Sequence, residues 1–267
     1  MSASSGKSLD VVALGEAMLE FNQTQAEPPL YLQGFGGDTS NAAIASARAG
    51  ARVAYLSRLG QDHWGHLLMQ PADVQAHWSG LISRSRWLHL SGISLAISPS
   101  ACDTALAALA LARQSGTRIA LDANLRLSLW PLERARACMA EAVRLCDLFL
   151  PSLDEMADLT GLQDPEAVLD CSHAHGARQV VLKLGADGAI VSEQGQRTRL
   201  APLRVQEVDA TGAGDCFAGN LLARLCAGDS LPQAALYANA AAALSVQGRG
   251  AVAPLPFPEA VQALLRP

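Results

Sequence analysis

The chain has 267 residues, half of them hydrophobic, and a formal charge of −5 with Lys and Arg spread singly. That length suits a single α/β domain with a large core, and the diffuse acidic balance argues against nucleic acid or an anionic membrane surface as a partner. The longest apolar runs are alanine-rich and too short to span a bilayer, no signal-peptide pattern opens the chain, and six cysteines lack Cys-x-x-Cys spacing, so a cytoplasmic protein with reduced thiols is expected.

Val11 to Gly15 is a short apolar run ending in glycine and predicts a first buried strand. Leu19 to Gln23 and Leu30 to Gln33 alternate, as strands with one wet face do. Thr39 to Arg48 is alanine-rich and helical, and Val53 to Ser57 returns to a strand. Trp87 to Gly92 predicts another strand, followed by helix, strand and helix over Ala101 to Gln114, Arg118 to Asp122 and Leu132 to Cys146. Further strands are predicted at Leu148 to Leu150, Val180 to Lys183 and Ala189 to Val191, and helices at Asp154 to Leu159 and Pro165 to His175. Two helices, Cys216 to Cys226 and Leu231 to Val246, are expected to close the chain. Strands alternating with helices of this length imply a mostly parallel sheet covered on both faces. Ligands bind such sheets at the carboxyl ends of the strands, which here are marked by Gly92, Asp122, Leu150 and Lys183.

The segment Asp209-Ala210-Thr211-Gly212-Ala213-Gly214-Asp215 runs into an apolar helical stretch. Its glycines let backbone approach a ligand closely, and unpaired amides at a helix N-terminus favour an anion. A carboxylate at that position repels a phosphate unless it accepts a proton from an attacking alcohol. Asp215 therefore reads either as the base of a phosphoryl transfer or as a plain helix cap.

Taken with Gly36-Gly37-Asp38-Thr39-Ser40-Asn41, and with Arg58-Leu59-Gly60-Gln61-Asp62 closed by Gly65, this segment makes the chain resemble the ribokinase-like (PfkB) carbohydrate kinases. The resemblance spans nearly the whole sequence. It implies an α/β fold, a ribokinase-like three-layer sandwich with a mostly parallel central sheet and a small β-lid at about 18–36, in one kinase domain over 1–267. It also implies ATP and Mg2+ as cofactors and a small-molecule sugar or sugar acid as the phosphoryl acceptor.

By the same resemblance Asp215 is the base, with Gly212, Ala213 and Gly214 as the anion hole, a source of electrostatic stabilisation. Gly37 and Asn41 are expected at the sugar hydroxyls, with a helix cap as the alternative for Asn41. Lys183, Gly185 and Gly188 belong to a nucleotide loop that also draws on Asn124, Gly212 and Gly214, and Asn239 matches a position near the adenine. Pro151-Ser152-Leu153-Asp154-Glu155 resembles the family's Asn-x-x-Glu element, which gives Glu155 a metal role through water, although Ser-x-x-Glu is also a capping box. Monovalent-cation activation, by K+ for example, would act near Gly248 to Ala251, where the spacing alone assigns nothing.

Asp122-Ala123-Asn124-Leu125-Arg126, followed by Leu129-Trp130, looks most like the 2-keto-3-deoxygluconate kinases, with fructokinases close behind. The Arg126 fork pairs well with the carboxylate of a sugar acid, and equally with ATP phosphates or with Asp122. Glu20 is assigned no role. The chain departs from the family between Gln70 and Pro71, where several tens of residues of the lid are expected and absent. Lid edges in this family often pair between subunits, so a homo-oligomer formed through the lid is also an expectation.

Overall fold

A computed structural model describes residues 6–63, 65 and 78–266. Its strands are β1 (Leu9–Leu14), β2 (Met18–Gln25), β3 (Leu30–Gly36), β4 (Val53–Leu56), β5 (Ser85–Ser91), β6 (Arg118–Asp122), β7 (Leu148–Leu150), β8 (Gln179–Lys183), β9 (Ala189–Glu193) and β10 (Gln196–Leu200). Its helices, in chain order, are α1 (Asp38–Arg48), α2 (Trp78–Arg84), α3 (Gly92–Ala96), α4 (Pro99–Gln114) and α5 (Leu132–Leu145). They continue with α6 (Leu153–Thr160), α7 (Pro165–Ala174), α8 (Ala213–Ala227), α9 (Leu231–Ser245) and α10 (Pro258–Leu265).

Eight strands form one sheet in the order β10-β9-β8-β7-β6-β5-β1-β4. The run from β4 to β8 is parallel, and β9 and β10 join antiparallel at one edge. Successive strand residues point to opposite faces, and both faces are apolar. Leu88, Leu121, Phe149 and Val180 pack into the core on one side, and Trp87, Ala120, Leu150 and Val181 into the core on the other. Helices therefore cover both sides, which gives the expected three-layer sandwich. β2 and β3 pair as a separate two-stranded antiparallel sheet.

α1 and α8 cross in close contact. A side chain at Gly219 in α8 would place its Cβ 2.3 Å from the Ala42 carbonyl oxygen and 2.7 Å from the Ala45 Cβ, both in α1. Ser46 Oγ donates across the same crossing to the Gly219 carbonyl at 2.7 Å. Small residues on both helices thus allow backbone-to-backbone approach. Asn41 and Asp215 lie one turn further toward the two N-termini.

Several elements differ from expectation. The helix after the glycine motif starts at Ala213, not Cys216, because Gly212 adopts the left-handed conformation and serves as its N-cap. Gly214 and Asp215 are thereby in its first turn. Trp87 to Gly92 splits, with Gly92 opening α3. β10 was not expected because its outer residues are polar and exposed. A third closing helix, α10, follows a proline at its first turn. The abrupt passage from Gln70 to Pro71 lies outside the described residues.

Replacing Gly219 with Val should force α1 and α8 apart. Overpacking of this kind costs about 1–3 kcal/mol, to be read as a lower denaturant midpoint for Gly219→Val than for Gly219→Ala. Activity should fall in parallel, since the crossing sets the Asn41 to Asp215 spacing.

Candidate active site

A buried polar row runs along the carboxyl end of the sheet, on the face covered by α1, α8 and α9. Strand parity supplies it: Ser91 ends β5, Asp122 ends β6 as its register partner, and Lys183 ends β8. Lys183 Nζ reaches over β7 to both Asp122 oxygens, at 2.8 and 3.0 Å. Burial pushes the Asp122 carboxyl up to about 6 against the pull of Lys183. Burial also works to neutralise Lys183, but the carboxylates of Asp122 and Glu155 outweigh it and hold the amine above the usual lysine range. His89 lies one layer deeper on β5. Burial, with Lys183 nearby, pushes its imidazole down to about 4, so the ring is neutral at physiological pH.

Two helix N-termini face this row. α1 starts after Gly37, whose φ of 101° and backbone contact, a Cβ at 2.3 Å from the Glu16 carbonyl oxygen, leave no room for a side chain. Asp38 accepts a hydrogen bond from Ser91 Oγ, and burial raises its carboxyl above the ordinary range. Asn41 is not a helix cap. Its Nδ2 donates to Asp215 Oδ2 at 2.8 Å. With the amide turned that way, Asn41 Oδ1 is buried and has no hydrogen-bond partner among the described residues, as is true of Asp38 Oδ1.

Asp215 is not a cap either. It sits in the first turn of α8, and the hydrogen bond its carboxylate accepts comes from Asn41 of another helix. Burial pushes its carboxyl up to about 8; the Asn41 bond and Lys183 oppose that rise, whereas Asp122 and Asp38 add to it. The expected anion hole is modified in one respect. The Ala213 amide donates to the Ala210 carbonyl at 3.1 Å, while among the described residues the amides of Gly212, Gly214 and Asp215 have no hydrogen-bond partner.

A cleft of about 590 Å³ opens beside Gly214; Gly212 and Asp215 do not line it. Lys183, Gly185, Gly188, Gly214 and Asn239 all line it, and Phe217 and Val246 contribute apolar wall. Asn239 Nδ2 is tied to the Ala201 carbonyl at 3.1 Å, and among the described residues its amide oxygen has no hydrogen-bond partner. Asn124 does not line this cleft. It is buried on the loop after β6 with a left-handed φ of 32°. Arg126 on the same loop is exposed and donates to the Leu125 carbonyl; Asp122 is held by Lys183 instead.

Glu155 completes a capping box with Ser152. One of its oxygens accepts from the Ser152 amide at 2.8 Å and the other from the Leu125 amide at 3.1 Å. Each oxygen keeps one lone pair, which suits a water molecule better than direct ligation. Among the described residues no group of three or more His, Cys, Asp or Glu could hold a metal. A magnesium ion that arrives on nucleotide phosphates with its own waters fits this donor set.

Sequence reasoning passed over several of these contacts. Glu20, on the two-stranded sheet, accepts from the Ala251 amide at 3.4 Å, and the adjoining Gly250 amide donates to Asp209 Oδ2 at 2.9 Å. These bonds link the lid to the glycine motif through the Gly248 to Ala251 loop. Asp38 and Ser91 were legible only as motif neighbours, since nothing in one dimension pairs residues 53 positions apart.

A family model described as pfkB family carbohydrate kinase matches residues 8–74 and 71–258. The two matched segments overlap at residues 71–74. Among curated proteins, the chain is 29% identical to the probable fructokinase-7 of Arabidopsis thaliana over 96% of this chain and 92% of that one. It is 30% identical to the 2-dehydro-3-deoxygluconokinase of Thermoproteus tenax over 97% and 94%. Both alignments run over more positions, 316 and 311, than the 267 residues of this chain, so the relatives carry residues that it lacks. The aminoimidazole riboside kinase of Salmonella enterica, solved with aminoimidazole riboside and an ATP analogue, superposes with a TM-score of 0.86 at 26% identity, covering 96% of this chain and 99% of that one. Matched by the family model over nearly its whole length, and by relatives along almost all of theirs, the chain belongs to the pfkB family of carbohydrate kinases.

Proposed function

We propose that this carbohydrate kinase transfers the terminal phosphoryl group of ATP to a primary hydroxyl of 2-keto-3-deoxygluconate, forming the 6-phosphate. The observation that carries the reading is the 2.8 Å bond from Asn41 to Asp215, which fixes a buried carboxylate next in sequence to Gly214, a residue of the wall of the 590 Å³ cleft. ATP would occupy that cleft, with its base against the apolar wall near Asn239 and its phosphates toward Gly214. The sugar would lie over Gly37 and Asn41. Asp215 accepts the hydroxyl proton as the oxygen attacks, and the unpaired amides of Gly212, Gly214 and Asp215 stabilise charge on the group in transit. Magnesium, when bound, neutralises phosphate charge, and Glu155 would orient one of its waters.

The sugar acid is favoured over a neutral sugar by Arg126. Its exposed guanidinium makes one backbone bond and keeps the rest of its fork for a carboxylate. Fructose is the second reading, because fructokinases and 2-dehydro-3-deoxygluconokinases stand at equal similarity to this chain. A non-catalytic sugar- or nucleotide-binding module has less support, since burying an ionisable Asp215 disfavours its charged form and serves no binder. The exposed apolar side chains of Leu30, Tyr31 and Leu32 on the lid suit pairing with a second copy.

Coupled assays at equal concentrations of the two sugars should give faster turnover with 2-keto-3-deoxygluconate; faster turnover of fructose selects the second reading. Asp215→Asn should lower kcat by orders of magnitude with ATP affinity nearly unchanged, and an equal loss of both would mark a structural role. Because the base must be ionised, kcat/KM for the sugar should rise with pH up to about 8 and then level off. Asn41→Ala removes a donor that favours the charged carboxylate, so it should move that limb to higher pH. Light scattering of wild type against Tyr31→Glu checks the lid-mediated pairing, with a loss of mass expected for the variant.

A further inference from the structure

The face of the sheet opposite the active site holds two thiols in contact. Cys102 lies near the start of α4 and Cys138 in the middle of α5, 36 positions apart in the chain, and their sulfurs are separated by 3.6 Å. Ala105, one turn after Cys102, and Ala135, one turn before Cys138, are buried in the same core. Small side chains thus flank the sulfurs on both helices. The two thiols differ in access, since Cys102 is 6% exposed and Cys138 is half-buried. Burial raises the Cys102 thiol above its ordinary range, contact with Cys138 adds to the rise, and the Arg134 guanidinium opposes it. Elsewhere burial pushes Cys146 and Cys216 up to about 12 and Cys226 up to about 11, which keeps them as unreactive thiols. Cys171 sits beside the His175 ring.

We propose that Cys102 and Cys138 are a thiol modification site, which a low-molecular-weight disulfide such as oxidised glutathione converts into a reversible disulfide stapling α4 to α5. Access sets the order of events. The half-buried Cys138 thiolate attacks one sulfur of the small disulfide. A bond forms from Cys138 Sγ to that sulfur, the small disulfide's own bond breaks, and its other half leaves as a thiolate that takes up the proton lost by Cys138. Cys102 then gives up its proton and attacks Cys138 Sγ from the core side, and the second half leaves and takes that proton. Two protein thiols are thereby oxidised by two electrons, and one small disulfide is reduced to two thiols. A disulfide bond is about 2.05 Å long, so side-chain rotation must close the present 3.6 Å. The closed loop spans 36 positions, and joining its ends restricts the unfolded chain. The oxidised protein is therefore the more stable form.

The test is incubation of the folded full chain with oxidised glutathione, alkylation of the remaining thiols, and a non-reducing peptide map by mass spectrometry. Wild type should yield a peptide pair joined through Cys102 and Cys138, lost after treatment with dithiothreitol. Cys102→Ala removes the resolving sulfur, so it should accumulate a glutathione adduct on Cys138. Cys138→Ser should leave Cys102 unmodified, because the oxidant cannot reach it. Free thiols at both positions in treated wild type overturn the proposal, as does a lasting glutathione adduct on Cys138 or a bond from either residue to another cysteine. These wild-type outcomes decide the matter even if a variant fails to fold. A thermal melt checks the staple: the oxidised form should melt on the order of 5 °C above the reduced form, with the gain absent in Cys138→Ser. An oxidised form that melts no higher overturns the stabilising role.

Discussion

The close crossing of α1 and α8 governs the geometry of the whole site. Gly219 has no side chain, and Ala42 and Ala45 have almost none, so the two helix backbones approach closely and the Ser46 hydroxyl bridges them. One turn toward the N-termini, that closeness becomes a 2.8 Å bond between Asn41 and Asp215. Asn41 and Asp215, one in each signature segment, are 174 positions apart in the chain. They form one site because small residues on two helices allow contact at a distance that larger ones forbid.

The crossing also determines the electrostatics. It presses two helix N-termini onto the polar ends of β5, β6 and β8, and so gathers Asp38, Asp122 and Asp215 where water is scarce. Each carboxyl is raised above its ordinary range, foremost by burial. A raised folded-state value means that the protonated form favours folding. The sign of the linkage follows: the stability this provides is fully present below the unfolded value near 3.8 and is lost as pH rises through the folded value, which is about 8 for Asp215. The fold thus carries an electrostatic cost at neutral and alkaline pH in order to place an acceptor for a proton. Helix dipoles, unpaired amides and the Lys183 ammonium offset part of it.

Asp122 and Arg126 illustrate how one motif divides its labour in three dimensions. In the sequence they are parts of a single Asp-x-Asn-x-Arg segment, and a local ion pair between them was a fair alternative. In the structure the strand ends at Asp122, the chain turns through Asn124 in a left-handed conformation, and Arg126 emerges on the surface. Asp122 finds its cation two strands away. Glu155 divides in a similar manner, since the capping box read from Ser-x-x-Glu is present, and the same carboxylate also anchors the Asp122 loop through the Leu125 amide.

What the sequence determined by itself was everything encoded in short-range pattern. Apolar runs and alanine-rich stretches located the main strands and helices, their alternation implied a parallel sheet covered on both faces, and the glycine-rich segments marked the chemistry and the family. Elements without such a pattern escaped it: β10 is polar and at an edge, and α8 starts early because a left-handed Gly212 is a matter of backbone conformation, which no residue spacing displays. Only the tertiary structure decided that Asn41 holds Asp215, that Lys183 pairs with Asp122, that Ala213 spends its amide on Ala210, and that Glu20 ties the lid to the glycine motif. Each of these is a hydrogen bond or ion pair whose partner is chosen by packing distance, and packing distance depends on every side chain between the layers.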